Sequence, residues 1–254
     1  MSTQDLLLFL FLRAYRVLSK AYYAKGVLSK YSFMQMRNKT LIMLVLMLCS
    51  LSARAQWRVG VNVGATCNHY SFDRQYMTDY NSKDRWGFTM GVSGQYNFTD
   101  WFGVRADLNW TQKNYRLTRD RITMDYRYTN HYILLPVMAS FSFGSEKWRG
   151  FCNLGVYGGY WLSSNYDAID CNAISGGVYH IRGHVEFNSE RDKRWDCGFV
   201  GGLGVEYRFA PHWGAQIEAR YYYSGTSVTK QYMRAKDYRY NNTLSLQTGV
   251  NYYF

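Results

Sequence analysis

The 254-residue chain carries a formal charge of +12, which on its own would suit a nucleic-acid binder. Its distribution excludes that class. Eight of the 30 Lys/Arg and one of the 18 Asp/Glu fall in residues 1–55, so residues 56–254 hold only +5.

The basic start Met36-Arg37-Asn38-Lys39, the apolar run from Leu41 to Leu48 and the small-x-small step Ala53-Arg54-Ala55 make a secretory signal peptide over 36–55, cleaved before Gln56. Its apolar core is too short to span a membrane as a helix. Residues 1–35 are then an upstream extension rather than native sequence, with Met34 as a second candidate start. A lipid anchor at Cys49 is rejected, because the preceding Leu48 is bulky where a lipoprotein signal wants a small residue. Residues 56–254 show no linker and no break in composition, and read as one β domain.

From Gln56 onward the apolar residues repeat every second position, the period of a strand. Trp57, Val59, Val61, Val63 and Ala65 open the series. Trp86, Phe88, Met90, Val92, Tyr96 and Phe98 form the second run, and Phe102, Val104, Ala106, Leu108 and Trp110 the third. The fourth is Ile133, Leu135, Val137, Ala139, Phe141 and Phe143, with Pro136 predicted to mark a bulge. Glycines blur the fifth, residues 151–162. Phe199, Leu203, Val205, Tyr207 and Phe209 make the sixth; Trp213, Ala215, Ile217, Ala219, Tyr221 and Tyr223 the seventh. The eighth places Leu244, Leu246, Thr248, Val250, Tyr252 and Phe254 on one face and Thr243, Ser245, Gln247, Gly249, Asn251 and Tyr253 on the other. Tyr252 and the terminal Phe254 match the signal read by the machinery that assembles outer-membrane barrels.

Connections alternate in length. Tight turns near 97–101, 144–150 and 210–213 separate long polar segments at roughly 67–85, 113–130, 163–195 and 224–241. Short turns on one side and long loops on the other predict an eight-stranded antiparallel up-and-down transmembrane β-barrel. The competing architecture is a secreted, lipocalin-like barrel with its apolar face inward. Face composition disfavours it, because the polar face is rich in Gly, Ser, Asn and Gln rather than the Lys and Glu of a wetted surface. Aromatics also gather at both ends of the apolar face, as bilayer interfaces favour. Phe98, Trp101, Phe102, Phe143, Trp148, Phe151, Phe209, Trp213 and Phe254 lie on the turn side. Trp86, Trp110, Tyr132, Tyr160 and Phe199 lie on the loop side.

Residues 56–254 resemble the porin-family or PorT-like outer-membrane barrels. The carriers are the cleavage site before Gln56, the run Val59-Gly60-Val61-Asn62-Val63-Gly64, Tyr132-Ile133-Leu134-Leu135-Pro136-Val137-Met138, and the terminal Gly249-Val250-Asn251-Tyr252-Tyr253-Phe254. The resemblance implies architecture and location in the cell outer membrane. It names no activity, although the namesake protein is tied to secretion.

Candidate functional residues follow from the inward parity. Arg105, Asp107, Glu206, Arg208, Glu218 and Arg220 form either a selectivity filter or, since an eight-stranded interior is just filled by side chains, a paired ionic plug. The plug is the preferred reading. His180, His184 and Glu186 do not make a metal site, because the segment reads as loop and no further ligands converge. Rim pairs such as His69/Asp73 and His131/Asp125 are candidates for catalysis, without a nucleophile motif beside them. Cys171 and Cys197 bracket much of the longest loop and are the candidate disulfide. Tyr and Arg crowd the external segments, including Tyr76, Tyr80, Arg116, Arg119, Arg121, Tyr126, Arg127, Tyr128, Arg234, Tyr238, Arg239 and Tyr240, and suit contact with lipopolysaccharide or a surface partner. The expectation is a non-enzymatic, plugged, surface-binding barrel without cofactor or metal. The alternatives are a narrow passive channel, a rim enzyme or a secretion-system accessory.

Overall fold

The computed structural model describes residues 56–72, 79–119, 124–171, 177–230 and 238–254. The upstream extension, the signal peptide, Cys49 and the loop residues Asp73, Tyr76, Arg121 and Arg234 lie outside them. The described chain forms β1 (Gln56–Phe72), β2 (Tyr80–Asn97), β3 (Phe102–Gln112), β4 (Tyr115–Arg119), β5 (Asp125–Gly144), β6 (Trp148–Cys171), β7 (Val178–His184), β8 (Trp195–Ala210), β9 (Trp213–Ser224) and β10 (Arg239–Tyr253).

Every pairing is antiparallel, and β10 pairs with β1 from Arg58↔Tyr253 to Phe72↔Arg239, which closes the sheet. The ring runs β1-β2-β3-β5-β6-β8-β9-β10. Strand β4 continues β3 between β2 and β5. Strand β7 is a hairpin arm on the far end of β6. The result is an eight-stranded up-and-down barrel.

The period-2 pattern decides which way each side chain points. Trp86 (71% exposed), Phe199 (65%), Leu203 (64%) and Phe254 (68%) stand on the outside, whereas Asn62, Thr66, Asn251 and Arg220 are buried inside. Large apolar groups outside and polar groups inside invert the order of a soluble protein and require a hydrocarbon solvent. The belt has the right height. Trp57 lies opposite Tyr96 and Trp86 opposite Cys67, ten residues apart on β1, or about 33 Å of strand. At a tilt near 40° this rises about 25 Å, the apolar band of an outer-membrane barrel.

Four sequence expectations change. Two aromatics assigned to the lipid face, Tyr132 and Phe151, are 1% and 2% exposed and fill the lumen. Pro136 stays in register with Tyr157, and the β5–β6 irregularity falls at His131/Tyr132 instead. On its other edge Pro136 coincides with a break in the β3–β5 ladder between Val137 and Leu134, as the lost N–H requires. Finally, most of the described residues in the segments assigned to long loops are strand. β1 and β2 run to Phe72 and from Tyr80, β6 reaches Cys171, and residues 178–184, read as loop, are β7. Above the bilayer both faces meet water or the mouth, so the apolar alternation stops although the ladders continue.

Candidate functional site

Three tiers of charge cross the lumen. At the turn end, the Arg58 guanidinium on β1 pairs with Glu206 on β8 at 2.8 Å. Glu206 also accepts from the Asn251 amide at 3.0 Å and from the Tyr253 hydroxyl. Arg58 donates in turn to Gln95.

The middle tier joins β3 to β9. Arg105 Nε lies 2.8 Å from Asp107 and Arg105 Nη1 3.3 Å from Glu218. Arg220 Nη1 lies 2.8 Å from Asp107 and Nη2 2.7 Å from Glu218. Two cations and two anions therefore close a neutral square. Asn153 from β6 donates to Glu218 at 2.9 Å. In the ring order β3 and β9 stand four positions apart out of eight, so this square spans the full diameter. All four side chains are at most 1% exposed.

The upper tier is Lys113, whose ammonium lies 2.6 Å from Asp196. It faces the rings of Tyr132, Tyr157 and Tyr222 at 5.3, 5.1 and 5.9 Å, a cage that replaces lost hydration with aromatic faces. Asp196 also accepts from Tyr157 at 3.1 Å and Ser224 at 2.7 Å. Both charges are paired and hydrogen-bonded, as burial demands.

Above this tier opens a mouth cavity of about 710 Å³, within the range of ligand sites. Its wall is aromatic: Tyr70 stacks on Tyr115 at 4.1 Å, Tyr115 on Tyr128 at 4.9 Å, and Tyr126 and Tyr166 each lie just over 6 Å from Tyr128. Trp161 packs between Tyr132 and Phe187. The segment after β7 folds across as a strap. Val185 N donates to Ser164 O, Trp161 N to Arg194 O and Lys230 N to Arg191 O. The Arg194 guanidinium is held between the Phe187 and Tyr160 rings at 4.5 and 4.6 Å. Asp192 anchors the strap. Burial pushes its carboxyl up, but the Arg191 guanidinium and the Asn188 amide outweigh that and hold it below the usual range.

A family described as the outer membrane protein beta-barrel domain matches residues 41–254. The chain belongs to that family. Among solved structures, this barrel domain is similar to Neisserial surface protein A at 14% identity, over 79% of this chain and 99% of that one, with a TM-score of 0.41. It is also similar to the attachment invasion locus protein Ail of Yersinia pestis, solved with the heparin analogue sucrose octasulfate, at 13%, 78% and 99%, with a TM-score of 0.39. A third is the outer membrane protease OmpT of Escherichia coli, at 8%, 79% and 96%, with a TM-score of 0.31. No curated protein matches.

Within this outer-membrane barrel domain, Arg105, Asp107, Glu218 and Arg220 meet in the middle tier and Glu206 lies in the lower one. Arg208 joins neither. It sits half-buried at the turn end, stacked over Tyr253 at 4.1 Å, with no ion pair among the described residues. Sequence reasoning missed Arg58, Lys113 and Asp196. Parity would have found them, since Lys113 continues Arg105, Asp107, Asn109 and Thr111 on the inward positions of β3. Assigning residue 113 to a loop hid it.

Of the rim pairs, His131 and Asp125 separate, and Asp73 lies outside the described residues. His69 is bonded to Asp84 at 2.8 Å. His131 stacks on Trp110 at 5.2 Å, while Asp125 is engaged by Arg116 at 2.6 and 2.8 Å. His180 and His184 lie on β7, opposite Ile169 and Asn165, and no metal-ligating cluster exists among the described residues. The Cys171–Cys197 bridge is absent, because Cys197 keeps a free thiol. Cys197 pairs with Gly158, thirteen residues down β6 from Cys171, roughly 43 Å along the strand. A disulfide tolerates a Cα separation of only about 7 Å.

Proposed function

We propose that the protein is a non-conducting outer-membrane scaffold that binds a ligand at its external mouth. The observation that carries this reading is the buried square of Arg105, Asp107, Glu218 and Arg220 spanning the diameter between β3 and β9. Ions crossing the lumen would have to break paired charges whose side chains are sealed from solvent. A tyrosine-rich, partly charged cavity above the Lys113 tier suits a polar ligand with an apolar face, such as a saccharide.

In this reading the segment 36–55 is removed as the signal peptide. Tyr252 and Phe254, on the outward side at the turn end, are read by the assembly machinery. The finer placement among PorT-like, porin-family barrels belongs to the same proposal and rests on Val59 to Gly64 and Tyr132 to Met138.

Planar-bilayer recording of the folded barrel tests it. The wild type should pass no steady current, and the pair Arg105→Ala with Arg220→Ala should introduce conductance steps. Reproducible ion-selective steps from the wild type would replace this reading with that of a narrow passive channel.

A further inference from the structure

A row of charges crosses the outside of the barrel above the external aromatic belt. Arg116 on β4 lies opposite Arg127 on β5, Arg127 opposite Asp167 on β6, and Asp167 opposite Arg182 on β7. Partners on a ladder share a face, so the row points outward, away from the inward-facing Tyr115 and Leu117. Arg85 reaches the same region and donates to Tyr128 O at 3.1 Å. A groove of about 370 Å³ runs between Arg85, Arg127 and Arg182, with Asn165 and Thr129 along its floor.

The charges there do not balance. Asp125 takes two bonds from Arg116 and one from Arg127 at 3.3 Å, and Asp167 takes one from Arg182 at 3.1 Å. Among the described residues, four guanidiniums thus share two carboxylates. Arg116 directly opposite Arg127 is a like-charge pair, which costs stability in a sheet. Each guanidinium has five N–H donors, and most of those on Arg127 (48% exposed) and Arg182 (81%) have no partner among the described residues. Geometry and charge both call for an oxyanion with several acceptors.

Height selects its source. Arg116 lies six residues beyond the belt residue Trp110, about 20 Å of strand and roughly 15 Å above the belt at the same tilt. That is the level of a glycolipid's saccharide headgroup, above its acyl chains and on the flank that faces neighbouring lipid.

We infer that Arg85, Arg127 and Arg182 form a site for the phosphates on the saccharide headgroup of an outer-leaflet glycolipid. The site is separate from the mouth cavity and independent of what that cavity binds. Seating phosphate in the groove neutralises the Arg116–Arg127 repulsion and bridges β5 to β7, so the barrel rim is stiffened by its own membrane.

The test uses the full barrel in nanodiscs containing phosphorylated lipopolysaccharide, or the same lipopolysaccharide after chemical dephosphorylation. The phosphorylated form should raise the thermal midpoint of the rim by about 5–10 °C, and added salt should diminish the rise. Arg127→Gln with Arg182→Gln should abolish the rise, and Arg127→Lys should retain part of it. Heat-modifiable mobility on a gel verifies that each variant is folded. An equal rise with dephosphorylated lipopolysaccharide, or an undiminished rise in the folded double variant, overturns the site. A rise of the same size from a soluble phosphorylated saccharide alone overturns the lipid as its source.

Discussion

Replacing Glu218 by Gln tests whether the lumen is closed. The substitution keeps the side chain's volume and removes one negative charge. The carboxylate now contacts Arg220 at 2.7 Å through Nη2 and 3.1 Å through Nε, Arg105 at 3.3 Å and the Asn153 amide at 2.9 Å. After the change Arg105 and Arg220 face Asp107 alone, and an amide N–H replaces one acceptor oxygen. Breaking a fully buried pair in this way costs about 3–5 kcal/mol, because an uncompensated charge stays behind. Arg220→Gln should cost a similar amount from the opposite sign. The double substitution removes one charge of each sign, and should cost less than the sum by at least about 1 kcal/mol. Urea titration of the lipid-embedded barrel, followed by the mobility shift between folded and unfolded forms, supplies the free energies. Losses below about 1 kcal/mol for each single variant, or strict additivity, would mean that water reaches the square. The lumen would then be wet rather than plugged.

Further expectations follow from backbone packing and rim charge. A Cβ on Gly155 would meet Val137 O at 2.0 Å and Met138 Cα at 2.7 Å, whereas one on Gly158 meets nothing within 4 Å. Gly155→Ala should therefore destabilise by about 1–3 kcal/mol and Gly158→Ala should be neutral or slightly stabilising; equal effects in the same titration would contradict the geometry. At the rim, burial raises the Asp125 carboxyl, but the Arg116 hydrogen bonds and charge, joined by Arg127, hold it below its ordinary 3.8. A depressed folded value means the β4–β5 contact is at full strength above the unfolded value and is lost as pH falls through the folded one. Hydrogen exchange in that hairpin should be protected equally from pH 8 to 5 and lose protection below about 4, with the dependence flattened by Arg116→Gln. A pH-sensitive loss between 8 and 5 would point to another group. Cys197, free and exposed, should react with a maleimide in the folded barrel, and non-reducing peptide maps should contain no Cys171–Cys197 linkage.

The eight membrane strands were legible because lipid favours an apolar group at every second residue, a pattern that Trp57 to Ala65 follow throughout and Leu244 to Phe254 follow but for Thr248. The signal weakened where the solvent changed. Above the belt β1, β2, β5 and β6 continue as ladders with polar residues on both sides, so their upper reaches read as loop and took Lys113 with them. Aromatics were ambiguous for a different reason. A ring suits a lipid interface and a packed lumen equally, and near the glycine-rich β6 and the irregularity beside Tyr132 the parity that separates the two is lost. That is how Phe151 and Tyr132 were placed on the wrong side. The charged residues of the middle tier were found because they lie on regular strands, while Arg208 shares their parity but not their height. The mouth cavity had almost no sequence signal, since it is built by a strap whose course depends on contacts such as Lys230 to Arg191 and Val185 to Ser164.

The seam between β1 and β10 sets the order of events in biogenesis. Every other wall of the barrel joins strands that are near neighbours in the chain, but this one unites the two most distant. Until it forms, the sheet is a ribbon with two bare edges and a greasy side, and long-range contacts of this kind arrive late. Only when β1 and β10 meet are the ribbon's open edges closed and the lumen-facing side chains enclosed.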